Sequence, residues 1–342
     1  MASLRVAMLA HGHAAFAPGG AEIAARALHL ALRDAGTEPL LVSCLPPGVR
    51  ARPEPGEAFV ETARLDSLTL LRRDPLEHAP LLKLLRQFRP DVVHLHHVLG
   101  FGADVLPAIR RALPGAALVL TLHEYVPICH RQGQMVTTAG ELCERSSPEA
   151  CAACFPEVSP QRFLARELAL RALLACADAC ISPSDFLAAR YAEWGLPAEK
   201  LHRIENVLAP RPPIAEEPRP GTRDRFAFFG QINPFKGVDL LLEAVNLIPA
   251  DRWGKARLSI HGSGLDKQPE PFRARIAALL DGAGDRVVFS GPYDNAEVGA
   301  LMASADWTVV PSIWWENSPV VIQEALAAGR PVIAPDLGGL AE

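Results

Sequence analysis

Short apolar segments alternate with segments of helical spacing along most of this sequence. RVAMLA near the N-terminus and DVVHLHH in the first half are typical of buried strands. Between them, Ile23, Ala24, Ala27, Leu28 and Ala31 share one face of a predicted helix. Strands that alternate with helices favour parallel sheets with helices packed on both faces. The predicted fold class is therefore α/β, built from doubly wound sheets.

A proline-rich segment separates two halves that each show this alternation. Residues 209–222 contain five prolines without apolar periodicity, which favours an interdomain linker. We expect a Rossmann-like domain over 1–208, with a cysteine-containing insert at 125–160, a linker over 209–223 and a second domain over 224–342. Two such sheets facing each other would form a cleft, with ligands at the carboxyl ends of the strands. No closing helix follows DLGG, so the second domain is expected to be incomplete.

Composition excludes several classes of protein. With 342 residues, 49% hydrophobic and 21% charged, the chain can bury the cores of two domains. A net charge of −5 argues against a nucleic-acid-binding protein, which needs a basic surface. No apolar run approaches the roughly 18 residues of a membrane span. The start MASLRVAMLA lacks the pattern of a secretory signal, so we expect a cytoplasmic location.

The stretch PSIWWENSPVVIQEALAAG is typical of a strand end, a loop and a capped helix. Ser318 is the predicted N-cap, Pro319 the first helical residue, and Gly329 the left-handed residue that ends the helix. Free N–H groups and the helix dipole at such a start favour a phosphate. Glu316 and Glu324 frame it, and carboxylates suit sugar hydroxyls because one carboxylate can accept from two of them. Together these features predict a site for a sugar nucleotide.

Four motifs in this order resemble glycosyltransferase family 4, whose members are retaining enzymes with the two-domain GT-B fold. The motifs are GGAE near the N-terminus, SPSDF after a strand, GQINPFKG at the start of the second half, and E-x7-E from Glu316 to Glu324. The resemblance implies transfer of a sugar from a nucleotide-diphosphate sugar to a glycan, lipid-linked or small-molecule acceptor. Two other functions stay open: a non-catalytic sugar-nucleotide-binding module, and a sugar-nucleotide epimerase on the same fold.

The resemblance also implies roles for residues of the second half. Glu316 would contact the transferring sugar and Lys236 would neutralise the departing pyrophosphate, so both are predicted catalytic residues. Glu324 would bind the ribose hydroxyls. Gln231 stands where the family usually has arginine, so its contact with phosphate would carry no charge. The other predicted donor-binding residues are Gly19, Gly20, Gly230, His261, Gly262, Tyr293, Asn317 and Ser318. Tyr293 would stack on or bracket the nucleobase, with a surface turn residue as the alternative.

Histidines mark two strand ends of the first half. His123, in TLHEY, matches the family's histidine near the reaction centre and is the third predicted catalytic residue; a merely structural strand-end histidine is the alternative. Alternation places His94 and His96 on one face of their strand, with His97 on the other face or in the loop. This group predicts either a hydrogen-bonding wall of the cleft or a metal site. Acceptor specificity is expected from the loops 46–75 and 125–160.

Four of the seven cysteines cluster in the irregular insert. A structural zinc ion there fits a reducing compartment better than structural disulfides do, while reduced thiols and redox-linked disulfides stay open. The predicted ligands are Cys129, Cys143, Cys151 and Cys154. Catalysis is expected to need no metal, because helix N-termini and Lys236 would stabilise the developing charge. The expected partners are the donor and the acceptor, with peripheral contact at the inner membrane face if the acceptor is lipid-linked.

Overall fold

The structure is a computed structural model that describes residues 3–16, 19–46, 48–208 and 223–342. The chain divides into two compact units, Met1–Ala209 and Pro210–Glu342. Apart from its last residue, the linker predicted over 209–223 lies outside the described residues.

The first unit is a parallel sheet in the order β3-β2-β1-β4-β5-β6-β7. The chain moves outward from β1 in one direction and then returns to continue from β4 in the other. The carboxyl ends of β1 and β4 therefore form the switch point, where ligands of doubly wound sheets bind. The strands are β1 Arg5–Ala10, β2 Glu38–Leu45, β3 Glu57–Glu61, β4 Val92–Leu95, β5 Ala117–Thr121, β6 Ala179–Ser182 and β7 Leu201–Arg203.

Helices connect these strands, and two of them begin at a side chain that caps the first turn. The hydroxyl groups of Ser147 and Ser184 accept backbone N–H groups of the first turns of α4 and α6. The central strand β1 is almost wholly buried, as expected for a strand covered on both faces. The helices are α1 Gly20–Asp34, α2 Ala79–Phe88, α3 Val105–Ala112, α4 Pro148–Cys154, α5 Pro160–Leu174 and α6 Asp185–Trp194.

The two segments predicted to be loops, 46–75 and 125–160, contain regular structure. The first holds the edge strand β3, whose five residues lie near prolines and glycines that conceal it in the sequence. The second holds α4, which packs against α5. Both corrections concern short elements stabilised by packing against another element, β3 on β2 and α4 on α5, so local sequence patterns identify them poorly.

The second unit has its own parallel sheet, in the order β10-β9-β8-β11-β12. Its first strand is central, and alternate residues of β8 reach two cores: Phe228 on one face, Ala227 and Phe229 on the other. The switch point lies between β8 and β11. The elements are β8 Arg225–Gln231, α7 Val238–Leu247, α8 Ala250–Trp253, β9 Arg257–Ser263, α9 Glu270–Ala283, β10 Val287–Gly291, α10 Val298–Ser304, β11 Trp307–Val309, α11 Val320–Ala327 and β12 Val332–Ile333.

The observed fold class agrees with the prediction of two Rossmann-like α/β sheets. Within the segments that the structure describes, none of the helices combines the length and apolar character needed to cross a bilayer.

Candidate active site

The carboxyl edge of the second sheet brings together the GQINPFKG loop and the loop after β11. Gln231 ends β8 and is exposed, so it is available to a ligand. The two loops are joined where the Ile313 N–H donates to the Phe235 carbonyl at 3.0 Å. This is the switch point of the sheet, and the predicted donor residues of both motifs meet there.

A salt bridge joins Lys236 and Glu316, two of the predicted catalytic residues. Nζ of Lys236 lies 2.5 Å from Oε1 of Glu316, which is only 6% exposed. The same oxygen accepts from Ser312 Oγ at 2.7 Å and from Trp314 Nε1 at 2.8 Å. Among the described residues, every side-chain hydrogen bond to Glu316 falls on Oε1. The carboxylate is therefore held in one orientation by three donors.

A tight turn before α7 presents Lys236 to this carboxylate. The Asn233 side chain accepts the backbone N–H groups of Phe235 and Lys236 at 3.0 and 3.2 Å. Gly237 follows with a φ of +67°, and a Cβ at that position would lie 2.0 Å from the Pro311 carbonyl oxygen. Both the dihedral angle and the close approach of the backbone require glycine.

Helix α11 begins one residue later than the sequence predicts. Pro319 is the N-cap, the helix runs from Val320 to Ala327, and no side chain caps it. Ser318, the predicted cap, instead accepts from Gln323 Nε2 at 3.3 Å. The difference lies at Pro319, whose ψ of 120° is extended, so helical dihedral angles begin only at Val320. The predicted left-handed end is present, since Gly329 has a φ of +68°.

The second carboxylate of the E-x7-E motif, Glu324, lies on the buried side of α11 and is 7% exposed. Asn317 lies in the loop between the two acids, where the turn around Gly339 packs against it. The Gly339 N–H donates to the Glu316 carbonyl at 2.8 Å, and a Cβ at Gly339 would lie 1.7 Å from the Asn317 carbonyl oxygen. Backbone contacts thus fix the loop that carries Glu316.

Three aromatic rings pack beside this edge. His261 stacks on Phe229 with ring centroids 4.8 Å apart, and Tyr293 meets the Phe229 ring edge-on at 5.7 Å. Burial lowers the pKa of His261. Gly262 follows His261, and a Cβ there would lie 2.2 Å from the Gly230 carbonyl oxygen, so β8 and β9 approach closely at their carboxyl ends. The predicted donor residues of these strands are therefore adjacent.

Histidines of the first unit form a stack across β4 and β5. The rings of His94 and His96 are stacked with centroids 4.4 Å apart, and those of His96 and His123 at 5.4 Å. Nδ1 of His96 lies 3.2 Å from Nε2 of His123, and Nε2 of His94 lies 2.7 Å from Thr121 Oγ1. Burial lowers the pKa of His94 to about 4 and that of His123 to about 3, and it lowers the pKa of His96 well below its usual value. The three rings are therefore neutral near pH 7.

The remaining histidine of this strand end, His97, bonds to the loop after β5. Its Nδ1 accepts the Leu99 N–H at 2.8 Å, which places its proton on Nε2. Nε2 lies 2.5 Å from Oε1 of Glu124, the residue after His123. The histidines thus form hydrogen bonds at this edge of the first sheet, and their place in the wall of a cleft stays a prediction.

The N-terminal glycine loop packs around Glu22 rather than leaving it exposed. Glu22 is 6% exposed and lies 2.9 Å from Nε2 of His11. Burial alone would raise the pKa of Glu22, but its bond with His11 lowers it. A Cβ at Gly19, the N-cap of α1, would lie 2.5 Å from Glu22 Oε2, and Gly20 is the first residue of α1. Gly19 therefore packs against an internal carboxylate, whereas Gly20 is exposed at the start of α1.

The four insert cysteines are free thiols brought close together by the fold. Burial raises the pKa of the Cys129 thiol, and negative charge on Cys154 would raise it further. The pKa of Cys143 is likewise raised, first by burial and then by Cys129 and Cys154. Cys151 lies on α4 with Cys154, one turn apart. No group of three or more His, Cys, Asp or Glu side chains in the described segments is arranged to hold a metal ion, so the zinc interpretation stays a hypothesis.

The structure also identifies site residues that the sequence analysis missed. Ser312 and Trp314 hold Glu316, Asn233 shapes the turn of Lys236, and His11 pairs with Glu22. The tryptophan pair in PSIWWENSP is a signal that could have directed attention to Trp314, because exposed-loop tryptophans are uncommon without a contact.

Sequence comparison identifies the class of protein that this fold and site define. Residues 18–210 match the profile described as Glycosyltransferase Family 4, and residues 223–342 match that of Glycosyl transferases group 1. The chain belongs to glycosyltransferase family 4, as its motifs predict.

Curated relatives share parts of the sequence. The D-inositol 3-phosphate glycosyltransferase of Jonesia denitrificans is 29% identical over 73% of this chain and 56% of its own length. The phosphatidyl-myo-inositol mannosyltransferase of Mycobacterium leprae is 34% identical over 38% of this chain and 32% of its own length. The matched region thus spans at most about half of these relatives.

Solved structures with low sequence identity confirm the GT-B fold class. Sucrose-phosphate synthase from Thermosynechococcus elongatus superposes with a TM-score of 0.70 at 22% identity, covering 98% of this chain and 82% of that one. HepE of Anabaena, solved with UDP and glucose, superposes with a TM-score of 0.63 at 18% identity, covering 99% and 82%.

Proposed function

We propose that this protein is a retaining glycosyltransferase that moves a sugar from a nucleotide-diphosphate sugar to a glycan, lipid-linked or small-molecule acceptor. The observation that carries the proposal is the Lys236–Glu316 pair at the switch point of the second sheet. It places one cation and one oriented carboxylate beside the start of α11, where phosphate and sugar hydroxyls of a donor need separate ligands. The names of the relatives support sugar transfer, and the UDP bound to HepE supports a nucleotide-diphosphate donor.

The proposed donor site lies in the second unit. Lys236 would neutralise the departing pyrophosphate together with the free N–H groups at the start of α11, and Glu316 would accept from hydroxyls of the transferring sugar. Glu324 would accept from the ribose hydroxyls, and Tyr293 would bracket the base. Gln231, exposed at the end of β8, would donate to a phosphate oxygen without supplying charge.

The proposed reaction is a same-face substitution. The bond between the sugar C1 and the phosphate oxygen breaks, C1 passes through an oxocarbenium-like state, and the acceptor oxygen bonds to C1 on the same face. The departing phosphate oxygen takes the acceptor's hydroxyl proton, so no protein nucleophile and no catalytic metal are required. His123, neutral because burial lowers its pKa to about 3, would hydrogen bond to a sugar hydroxyl.

Calorimetry with UDP and GDP, followed by an assay of nucleoside-diphosphate release from a panel of nucleotide sugars, tests this proposal. A glycosyltransferase binds the nucleotide and releases it from its donor only when an acceptor or water takes the sugar. Binding with no release from any donor would support the non-catalytic module instead. Conversion of the donor to an isomer without release would support an epimerase.

The cysteine cluster supports a second proposal, a structural zinc ion held by four thiolates. Arg166 is 3% exposed beside the cluster, and it donates to the carbonyl groups of Val126 and Pro127 at 2.6 Å. Its Nε is buried without a hydrogen-bond partner, and the described residues give it no ion pair. A buried cation is costly without an anion nearby. Four thiolates on zinc would carry a net charge of −2 and would supply that anion.

Elemental analysis of the purified protein tests the zinc proposal. We expect about one zinc per chain, lost in the variants Cys143→Ser and Cys154→Ser, with a lower melting temperature. Cys176→Ser is the matched control, because this half-buried thiol lies outside the cluster on the C-terminal side of α5. A protein purified without chelator that holds no zinc would refute the proposal.

A peripheral contact with the inner membrane face is the remaining proposal on location. Its support is a surface cavity of about 550 Å³ on the first unit, lined by Arg5, Lys83, Arg86, Gln87 and Arg89. Such a basic surface on a chain of net charge −5 favours anionic head groups. Co-sedimentation with vesicles containing phosphatidylglycerol, weakened in Lys83→Glu and absent with neutral vesicles, would support it. Equal recovery with both vesicle types would contradict it.

A further inference from the structure

Two consecutive residues at the end of β4 bond to two consecutive residues after β5. His96 bonds to His123 through Nδ1 and Nε2 at 3.2 Å, and His97 bonds to Glu124 through Nε2 and Oε1 at 2.5 Å. We call these two contacts the histidine bracket. The backbone ladder between the two strands ends at the pair Leu95 and Leu120. The histidine bracket therefore continues the pairing of β4 and β5 by side chains, beyond the point where their backbones separate.

We propose that His96 and His97 are positioning residues that fix the loop carrying His123. The inference rests on the proposed function, because it assigns these residues a role through His123.

Glu124 shows how firmly the loop is held. Beside its bond to His97, its carboxylate accepts the Val126 N–H, and its backbone carbonyl accepts the Tyr191 hydroxyl at 2.8 Å. Gly133 packs against the Glu124 carboxylate and the Val126 N–H, since a Cβ at Gly133 would lie 2.6 Å from the Val126 nitrogen. Because the carboxylate and the carbonyl of one residue are both held, the residue before it has little freedom to turn.

The His96 ring contacts a histidine on either side and bonds to His123 through one nitrogen. It is 3% exposed and stacks between His94 and His123, while its Nε2 is buried without a partner. A buried imidazole with an unsatisfied nitrogen costs stability relative to an apolar residue of the same shape. The bond from its other nitrogen to His123 is the specific contact that an apolar residue could not make. A cost in stability at a residue that orients a reacting group is typical of functional sites.

Neutral rings make the arrangement possible. Burial lowers the pKa of His96 well below its usual value, and the neighbouring His94 and His123 lower it further. Three charged imidazoles at these distances would repel one another, so the stack persists only while the rings stay uncharged. His11, whose ring lies 4.7 Å from that of His97, pairs with Glu22 on the other side.

The test compares His96→Leu with His96→Asn. Leucine keeps the volume and loses the bond to His123, whereas the asparagine side chain places a polar atom near the position of Nδ1. We expect His96→Leu to lower kcat roughly 10- to 100-fold, as displacement of an oriented group does, with little change in the KM of the donor. His96→Asn should recover most of kcat. Similar values for both variants and the parent would overturn the inference.

A matched control separates this effect from the loss of any buried histidine. His29 is 2% exposed on α1 and contacts none of the four bracket residues in the described contacts, so His29→Leu should leave kcat near that of the parent. An equal drop in kcat for His29→Leu and His96→Leu would reduce the role to general stability and overturn the proposal.

Hydrogen exchange gives a readout that needs no activity. In Glu124→Ala, the backbone amides of residues 122–126 should exchange faster than in the parent, whereas Glu124→Gln keeps an acceptor for His97 and should stay protected. Unchanged exchange in both would refute the histidine bracket even in an active enzyme. A parent protein that releases no nucleotide from any donor, yet shows these exchange changes, would instead refute the proposed function and leave the bracket as a structural device.

Discussion

Lys236 and Glu316 lie 80 positions apart in the sequence and 2.5 Å apart in the structure. A lysine beside the start of a helix is unfavourable unless an anion accompanies it. In this chain that anion is an internal carboxylate, which Ser312 and Trp314 hold in place. The proposed phosphate ligand of the donor site is therefore already paired with the proposed sugar ligand. A bound pyrophosphate would compete with Glu316 for the same ammonium group.

Replacing the lysine should cost both turnover and stability. Lys236→Ala removes the cation that would stabilise the leaving pyrophosphate, so we expect kcat to fall by about 100-fold or more. It also removes one of the three donors to the buried Glu316 carboxylate, at a cost of about 1–3 kcal/mol in the free energy of unfolding. Nucleotide release at saturating donor and urea denaturation measure the two effects. Lys255→Ala, an exposed lysine of the same unit, is the control, and parent-like turnover in Lys236→Ala would refute the assignment.

Because Glu316 and phosphate would compete for Lys236, a variant of Glu316 should bind the nucleotide more tightly while it turns over more slowly. Glu316→Gln keeps a hydrogen-bond acceptor but removes the charge that holds the ammonium group. Calorimetry should therefore show tighter binding of the nucleoside diphosphate, by about threefold to tenfold, together with lower turnover. Glu324→Gln should weaken nucleotide binding, because that residue is proposed to hold the ribose. If both variants bind nucleotide more weakly, Glu316 does not compete with phosphate.

Local patterns predicted the parts of the fold that local physics decides. The alternation of RVAMLA, DVVHLHH and the helices between them depends on residues close in sequence, and the glycine end of α11 at Gly329 depends on one backbone angle. The placement of Glu316 in a loop and Glu324 in the helix that follows likewise depends only on residues close in sequence. These features agree with the structure because no distant residue has to be known in order to infer them.

Contacts between distant segments lay beyond such patterns. Nothing near Glu316 in the sequence identifies Lys236 as its partner, because this pair is formed by the parallel packing of β8 and β11. The pair of Glu22 and His11 depends on how the first turn of α1 lies against the end of β1. The Ser318 cap was wrong because Pro319 is extended, with a ψ of 120°, and Ser318 accepts from Gln323 instead of capping the helix. Which side chains contact each other depends on the direction in which they point, and residue type alone does not reveal that direction.

The close approach of β8 and β9 gives a prediction about Gly262. In Gly262→Ala the new Cβ would lie 2.2 Å from the Gly230 carbonyl oxygen, which is backbone and cannot turn aside. We expect a loss of about 2–4 kcal/mol in the free energy of unfolding, as for overpacking in a rigid site, and weaker nucleotide binding. Gly115→Ala is the control, because the space around that position is open. Equal denaturation midpoints for the two variants would contradict the observed strand spacing.

Acid should destabilise the first unit through its buried histidines. The pKa of His94 is lowered to about 4 and that of His123 to about 3, both by burial, whereas an unfolded histidine titrates near 6.5. Below pH 6.5 the unfolded chain binds protons that the folded chain excludes. The free energy of unfolding therefore falls as pH decreases from 6.5 toward 4, and these histidines cause no pH dependence above 6.5. Each such group contributes a slope of up to about 1.4 kcal/mol per pH unit in that window. Urea denaturation at pH 5 and pH 7 measures the slope. The slope should be smaller in His94→Gln, because one of the titrating rings is gone. Identical slopes in the parent and the variant would show that His94 titrates alike in the folded and unfolded states.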